Sequence, residues 1–129
     1  MINKKMWNPS KPSVENSNMF VFQEHINLKY DLSIKCYSEL HKWSIDNIDI
    51  FWKEVWDYSK LIYSKPYTNV MISNDNIWET IWFSDSKLNY AENLLRHRND
   101  NVAIYFFGEN KIKKQITFNQ LYTQVSKVA

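Results

Sequence analysis

Glycine is nearly absent from this sequence, since Gly108 is the only glycine among its 129 residues. Loops that lay several backbone N–H groups against phosphates need glycine for close approach and for positive φ angles. We therefore predict that the chain has no nucleotide-phosphate loop. It also lacks a nucleophile elbow, a Walker loop and a dinucleotide-binding fingerprint. We expect no catalytic, cofactor-binding or metal-binding residue within it.

Cysteine and histidine are also scarce. Cys36 is a single cysteine, which excludes an intramolecular disulfide and favours a reducing compartment, so we expect a cytoplasmic protein. A zinc site would need several ligands at suitable spacings. His25, His41 and His97 are far apart in the sequence and Cys36 has no CxxC partner, which disfavours such a site.

Neither charge nor long apolar runs point to nucleic acid or to a membrane. The 16 basic and 14 acidic residues leave a net charge of +2, too small for long-range attraction to a polyanion. The longest apolar run, Val102 to Phe107, is much shorter than a membrane span. The first five residues are followed by Trp7 and Pro9 rather than by an apolar segment, which argues against a signal peptide.

Aromatic residues, in contrast, are abundant: they make up 16% of the chain and include six tryptophans. After a predicted loop with Pro9 and Pro12, Asn16 or Ser17 is expected to cap a helix. Its apolar positions recur at spacings of three and four, as in an amphipathic helix. A short second helix is predicted from Cys36 to Trp43. The positions expected to face the core in these two helices are Met19, Phe22, Ile26, Tyr30, Tyr37, Leu40 and Trp43.

The third helix, from about Asn47 to Ser59, has the clearest pattern. Five apolar residues form one stripe along it: Ile48, Phe51, Trp52, Val55 and Trp56. We predict that this stripe packs into the core, the alternative being a ligand surface. Asp46 is expected to be the N-cap.

The pattern changes after Pro66. Residues 69–73 suggest a short strand or an extended linker, and a short helix is predicted from Leu88 to Leu95. Asn89 and Glu92 have the spacing of a capping box. Glu92 as a general acid or base is the alternative, which we disfavour because the sequence places no partner beside it.

The last 30 residues predict a hairpin followed by a helix. Val102 to Phe107 is expected to be a strand covered on both faces, because it is apolar throughout. Gly108, Glu109 and Asn110 would turn the chain into a second strand over 111–118. Thr117 and Gln120 form a predicted capping box for a helix that includes Leu121, Val125 and Val128.

A basic and aromatic face for single-stranded nucleic acid is a further alternative. It would combine Tyr105 to Phe107 with Arg96, His97, Arg98, Lys111, Lys113 and Lys114. We disfavour it, since basic residues at helix ends and hairpins are usually solvated or complement the helix dipole.

Several stretches resemble one enzyme family. The segment from Trp82 to Leu95 reads WFSDSKLNYAENLL and closely resembles the WF-x-x-x-x-LNYAENLL stretch of acetoacetyl-CoA synthetases, which are adenylate-forming acyl-CoA synthetases. Residues 84–86 depart from the Pro and Gly that often follow the Trp-Phe pair. Further similar stretches, in the same order as in the family, are Trp7 to Ser10 with Asn16 to Met19, Trp43 to Ile45 with Phe51 and Trp52, and Ile116 to Leu121.

The resemblance implies an α/β fold, with a mainly helical N-terminal region over 1–100 and the start of the AMP-binding domain over 101–129. It also implies that the chain is an N-terminal fragment, inactive alone, of a ligase that uses ATP, CoA and Mg²⁺ to activate acetoacetate as its acyl-AMP. The expected partners are these small molecules and the rest of the polypeptide, not nucleic acid or membrane. The alternatives are an acetyl- or propionyl-CoA synthetase, or a helical interaction module without chemistry.

Overall fold

The computed structural model describes residues 6–109 and 111–128. The chain divides into two compact units, one ending at Lys60 and the other beginning at Leu61. The predictions about residues 1–5 and about Asn110 in the turn fall outside the described residues. The predicted domain boundary after residue 100 concerns the domains of a longer enzyme and stays a prediction.

The first unit consists of four helices: α1 (Lys11–Glu15), α2 (Asn18–Tyr30), α3 (Tyr37–Asp46) and α4 (Ile48–Ser59). The prediction of a loop around Pro12 was wrong, because α1 begins there. The Ser10 hydroxyl accepts a hydrogen bond from the Ser13 N–H at 3.3 Å, and Pro12 occupies the first turn, where its missing N–H costs nothing.

The ends of the next helices partly match the prediction. Ser17 caps α2 by accepting from the Phe20 N–H at 3.2 Å, which decides between the two predicted caps. Helix α3 begins close to the predicted position and runs three residues past Trp43. Asp46 is not the cap of α4: it is the last residue of α3, and its carboxylate accepts from Lys42 at 2.7 Å.

The core of this unit is small and aromatic at its edges. Phe22 meets the rings of Phe51 and Tyr58 edge to face, with centroids 5.9 and 5.1 Å apart. Around it lie the buried residues Ile26, Ile34 and Leu40, with Tyr30, Leu32, Trp43, Val55 and others packed against them.

Helix α4 shows both a success and an error of the stripe prediction. Trp56 is buried, and Phe51 and Val55 are half-buried, as expected. Trp52, however, is 40% exposed, so its assignment to the core was wrong. Met19 of α2 and Tyr37 of α3 were likewise predicted to be core residues and are exposed.

The second unit begins with a small two-stranded sheet. Strand β1 (Met71–Ile72) lies within residues 69–73, where a short strand or an extended linker was predicted. It pairs antiparallel with β2 (Ile81–Trp82), and the sequence predicted neither β2 nor this pairing. A 3-10 turn (Ile77–Glu79) connects them. Helix α5 (Tyr90–Leu94) follows within the predicted range, and Asn89 caps it by accepting from the Glu92 N–H at 3.1 Å.

The unit ends with the predicted hairpin and helix: β3 (Val102–Phe107), β4 (Lys113–Thr117) and α6 (Phe118–Ser126). In the antiparallel pairing, Tyr105 lies opposite Gln115, and a bulge follows Val102. Both halves of the capping box between Thr117 and Gln120 are present, as predicted.

The prediction that β3 is covered on both faces was wrong for this chain. Tyr105, Phe106 and Phe107 are all exposed, and among the described residues from Leu61 onward only Leu95 is buried. The apolar run therefore predicted the strand correctly, but it did not predict that the strand's side chains are exposed.

The backbone adopts left-handed conformations without glycine. Asp31 and Lys60 have φ angles of 52° and 48° at the ends of α2 and α4, and Phe83, Asp85 and Lys111 are also at positive φ. Gly108 is not among the residues at positive φ.

Asp85 also has a polar role in the second unit. Its carboxylate accepts a hydrogen bond from the Thr68 hydroxyl, and this bond together with nearby Lys65 lowers the pKa of Asp85.

Candidate functional site

The most unusual group in the first unit is a buried carboxylate. Glu54 lies on α4 between the stripe positions Phe51 and Trp56, and its side chain is completely buried. Burying a charge is costly unless it is paired and hydrogen-bonded. The surroundings of Glu54 therefore decide what it can do.

Three residues of α2 donate hydrogen bonds to Glu54. Tyr30 Oη donates to Oε1 at 2.7 Å, and Lys29 Nζ lies 2.8 Å from both carboxylate oxygens. His25 Nε2 lies 3.0 Å from Oε2. His25 and Lys29 are one helical turn apart, so they reach the same point of α4. We call these four residues the Glu54 cluster.

The cluster holds its acidic members in one protonation state. Burial raises the pKa of Glu54, but hydrogen bonds from Lys29, Tyr30 and His25 outweigh burial, and its pKa falls to about 2. Burial and the hydrogen bond to Glu54 raise the pKa of Tyr30 to about 12. A general acid or base works best with a pKa near the working pH. Glu54 and Tyr30 are therefore suited to holding α2 against α4, not to proton transfer at neutral pH.

An apolar groove of about 420 Å³ lies between α2, α3 and α4. Its floor includes Phe22, Leu40 and Phe51 of the core, and His41 and Ser44 are among its few polar lining residues. The groove has the size and character to accept an apolar side chain. It brings no set of charged groups together, so its lining indicates no reaction.

The candidate metal ligands lie apart. His25 contacts Glu54, His41 stacks on Tyr37 with centroids 5.9 Å apart, and His97 packs against Phe118. Within residues 6–109 and 111–128, no three His, Cys, Asp or Glu side chains are grouped so that they could hold a metal ion. The prediction that the chain holds no catalytic, cofactor or metal residue stays a prediction.

The remaining candidates have structural surroundings. Glu92 is exposed on α5, where its N–H is capped by Asn89. The Arg98 guanidinium lies 3.9 Å from the Tyr122 ring centroid, and Lys113 Nζ lies 5.8 Å from that of Phe107. These contacts are cation–π packing within the second unit. None of the helices in the described part of the chain is long and apolar enough to cross a membrane.

The sequence did not predict a role for Glu54, because nothing local distinguishes this residue. It is one of 14 acidic residues, and it lies outside the apolar stripe of its helix. Its partners are 24 to 29 residues earlier in the chain. The only available signal was the i, i+4 spacing of His25 and Lys29, which is common on solvated helix faces.

Comparison with known proteins supplies the family. A family model described as the acetyl-coenzyme A synthetase N-terminus matches residues 37–94, a range that runs from the start of α3 to the end of α5. The acetoacetyl-CoA synthetase of Macaca fascicularis is 36% identical over 124 residues, which are 94% of this chain and 18% of that protein. The chain is homologous to the N-terminal region of acetoacetyl-CoA synthetases.

Other relatives agree with this. The acetoacetyl-coenzyme A synthetase of Rhizobium meliloti (strain 1021) is 30% identical over 97% of this chain. The solved structure of acetoacetyl-CoA synthetase from Streptomyces lividans superposes with a TM-score of 0.79 and 29% identity, covering 92% of this chain and 19% of that one. The predicted resemblance, its extent along the chain and the fold class are confirmed. The chain spans about a fifth of the length of these relatives.

Proposed function

We propose that this chain is the N-terminal part of an acetoacetate:CoA ligase, which converts acetoacetate, ATP and CoA into acetoacetyl-CoA, AMP and diphosphate. The observation that carries the proposal is the similarity to acetoacetyl-CoA synthetases over nearly the whole chain, in sequence and in backbone. A cytoplasmic location accompanies the proposal and rests on the single cysteine, Cys36.

Within this protein, the described residues contribute a scaffold. They do not fit a site for ATP or Mg²⁺, because the carboxylate of Glu54 is saturated by its own donors and no glycine loop is available for phosphates. We therefore assign no step of the reaction to them. The ligands ATP, CoA, Mg²⁺ and acetoacetate belong to the proposed enzyme as a whole.

The first test concerns the chain alone. Purified residues 1–129 are expected to show no ATP–pyrophosphate exchange with acetoacetate or acetate, since the phosphate-binding and acid-activating groups are absent. The exchange is measured with labelled pyrophosphate, with a complete acyl-CoA synthetase as positive control. If the chain exchanged more label than a blank that lacks protein, our assignment of these residues to a purely structural role would be mistaken.

The second test concerns the substrate of the complete gene product. It is expected to form acetoacetyl-CoA with a higher kcat/KM than for acetyl-CoA from acetate, and to release AMP rather than ADP. A preference for acetate or propionate would support the alternative suggested by the family model. Malonamate should be tested too, because the malonamoyl-CoA synthetase of Penicillium aethiopicum is 32% identical over 93% of this chain.

A further inference from the structure

Helix α2 carries apolar residues on two opposite sides. Phe22 and Ile26 are buried in the core, whereas Val21 and Leu28 are exposed, Leu28 by 88%. At 100° per residue, Val21 and Leu28 share one side of the helix, about 140° to 160° from Ile26. Hydrophobic burial alone therefore does not determine which side of α2 faces the core.

Polar contacts mark both edges of the side that is buried. On one edge, His25 and Lys29 reach Glu54. On the other edge, Gln23 donates to the Ile34 carbonyl at 3.1 Å, and Asn27 accepts from the Ile34 N–H at 2.9 Å. The docked side of α2 is thus bounded on both edges by hydrogen bonds that a rotation of the helix about its axis would break.

If α2 were rotated, the two groups that it contacts, the Ile34 backbone and the Glu54 carboxylate, would both lose these hydrogen bonds, but at different cost. The backbone of Ile34 belongs to the loop after α2, and in another arrangement its groups could bond to water. Glu54 projects from α4 into the interface, so a rotated α2 would take its three α2 donors away and leave its charge with Lys53 of its own helix, 4.0 Å from Oε1. A buried charge that has lost its partner is strongly unfavourable, although a complete buried pair adds little net stability over apolar residues.

We infer that Glu54 selects the face of α2 that docks on α4, by making the opposite face, which carries Val21 and Leu28, unacceptable. This is a role in conformational choice rather than in net stability. It predicts that apolar replacement of Glu54 together with Lys29 leaves the unit folded but lets α2 dock by either face.

The test uses the 129-residue chain with Lys29→Met and Glu54→Met combined. Solvent accessibility of the Ile26 and Leu28 methyl groups is measured by NMR with a soluble paramagnetic agent. In the parent chain, the Leu28 signals should broaden strongly and the Ile26 signal should be protected. In the double variant, the far-UV circular dichroism should be retained. The difference in broadening between the Ile26 and Leu28 signals, which we call the contrast, should be lost, or each methyl group should give two signals from the two docked arrangements.

The matched control is Lys42→Met with Asp46→Met, which removes an exposed ion pair of the same type from α3. It should keep the Ile26 and Leu28 contrast. Glu54→Gln alone keeps the shape but removes the charge and replaces one acceptor oxygen by an NH2 donor, and it should weaken the contrast partially. The inference is overturned if the Lys29/Glu54 double variant keeps the full contrast, or if it unfolds while Glu54→Gln keeps the full contrast.

Discussion

The two units of this chain bury their apolar residues very differently. The unit ending at Lys60 encloses Phe22, Ile26, Leu40 and a fully buried carboxylate. The described part of the unit from Leu61 onward buries Leu95 alone, and it leaves the aromatic residues of β3 exposed. The helical unit therefore holds a core of its own, whereas the hairpin unit consists mainly of local elements.

This difference separates two requirements of folding. Hairpins, caps and short helices form from contacts between near neighbours, so they need little core. Burial of a strand face needs a second layer. Among the described residues of β3, Tyr105, Phe106 and Phe107 are exposed, so the hairpin has formed without such a layer over them.

The largest expected effect comes from the tryptophans of α4. Trp56→Ala should destabilise the first unit by about 3 to 5 kcal/mol, as truncation of a buried aromatic side chain usually does. Trp52→Ala is the matched control, and it should cost clearly less because Trp52 is 40% exposed. Urea unfolding followed by circular dichroism measures both. Equal losses would restore Trp52 to the core.

A pair of isoleucines tests the comparison between the units directly. Ile26→Ala should cost about 2 to 5 kcal/mol, because it leaves a cavity in a closed core. Ile104→Ala, at a position 43% exposed on β3, should cost at most about 1 kcal/mol. Native-state hydrogen exchange reports each unit separately. If Ile104→Ala lowered the free energy of unfolding more than Ile26→Ala does, the hairpin unit would have a hydrophobic core of its own.

The pH dependence of stability should also differ between the units. The pKa of Glu54 is lowered in the folded state, so its contribution is present above about pH 4.5 and is lost as the pH falls towards about 2. The pKa of Tyr30 is raised, so its contribution is present below about pH 10 and is lost towards about 12. The free energy of unfolding, measured by urea unfolding followed by circular dichroism, should fall in both ranges.

The control for this prediction is Glu54→Gln, which removes the acidic group while nearly keeping its shape. Its free energy of unfolding should fall less than that of the parent chain between about pH 4.5 and 2. An identical acid dependence in the two proteins would mean that other carboxylates cause the loss.

The smallest effect is expected at the cap of α6. Thr117→Ala removes the hydroxyl that accepts from the Gln120 N–H and should destabilise this helix by about 1 kcal/mol. Thr123→Ala, within the same helix, is the control and should cost less. Amide exchange over residues 118–126 distinguishes them. A loss spread over the first unit as well would show that the units do not respond independently.

The sequence predicted local structure well and long-range burial less well. Apolar periodicity located α2, α3, α4 and the hairpin, and capping residues located the starts of α2 and α6, because these features depend on residues within one or two turns. Strand β2 was missed because two residues, Ile81 and Trp82, are too few to show alternation. Trp52 was misplaced because helical spacing gives the direction of a stripe but not its width.

The Glu54 cluster could not be predicted for a related reason. Its geometry depends on how α2 lies against α4, and neither the composition nor the spacing of α4 contains that information. The family resemblance was more informative, since the order of short motifs along the chain is independent of burial. It reached the correct family through residues such as Asn89 and Tyr90, which the structure leaves exposed.

The left-handed residues imply an unused capacity for engineering. Lys60 ends α4 at φ 48°, and Phe83 follows β2 at φ 47°, both in a conformation that a side chain opposes. Glycine adopts this conformation freely, at the cost of greater freedom in the unfolded chain. Because Gly108, the single glycine of the sequence, lies elsewhere, Lys60→Gly and Phe83→Gly would relieve this strain, and the change in the free energy of unfolding would measure its cost.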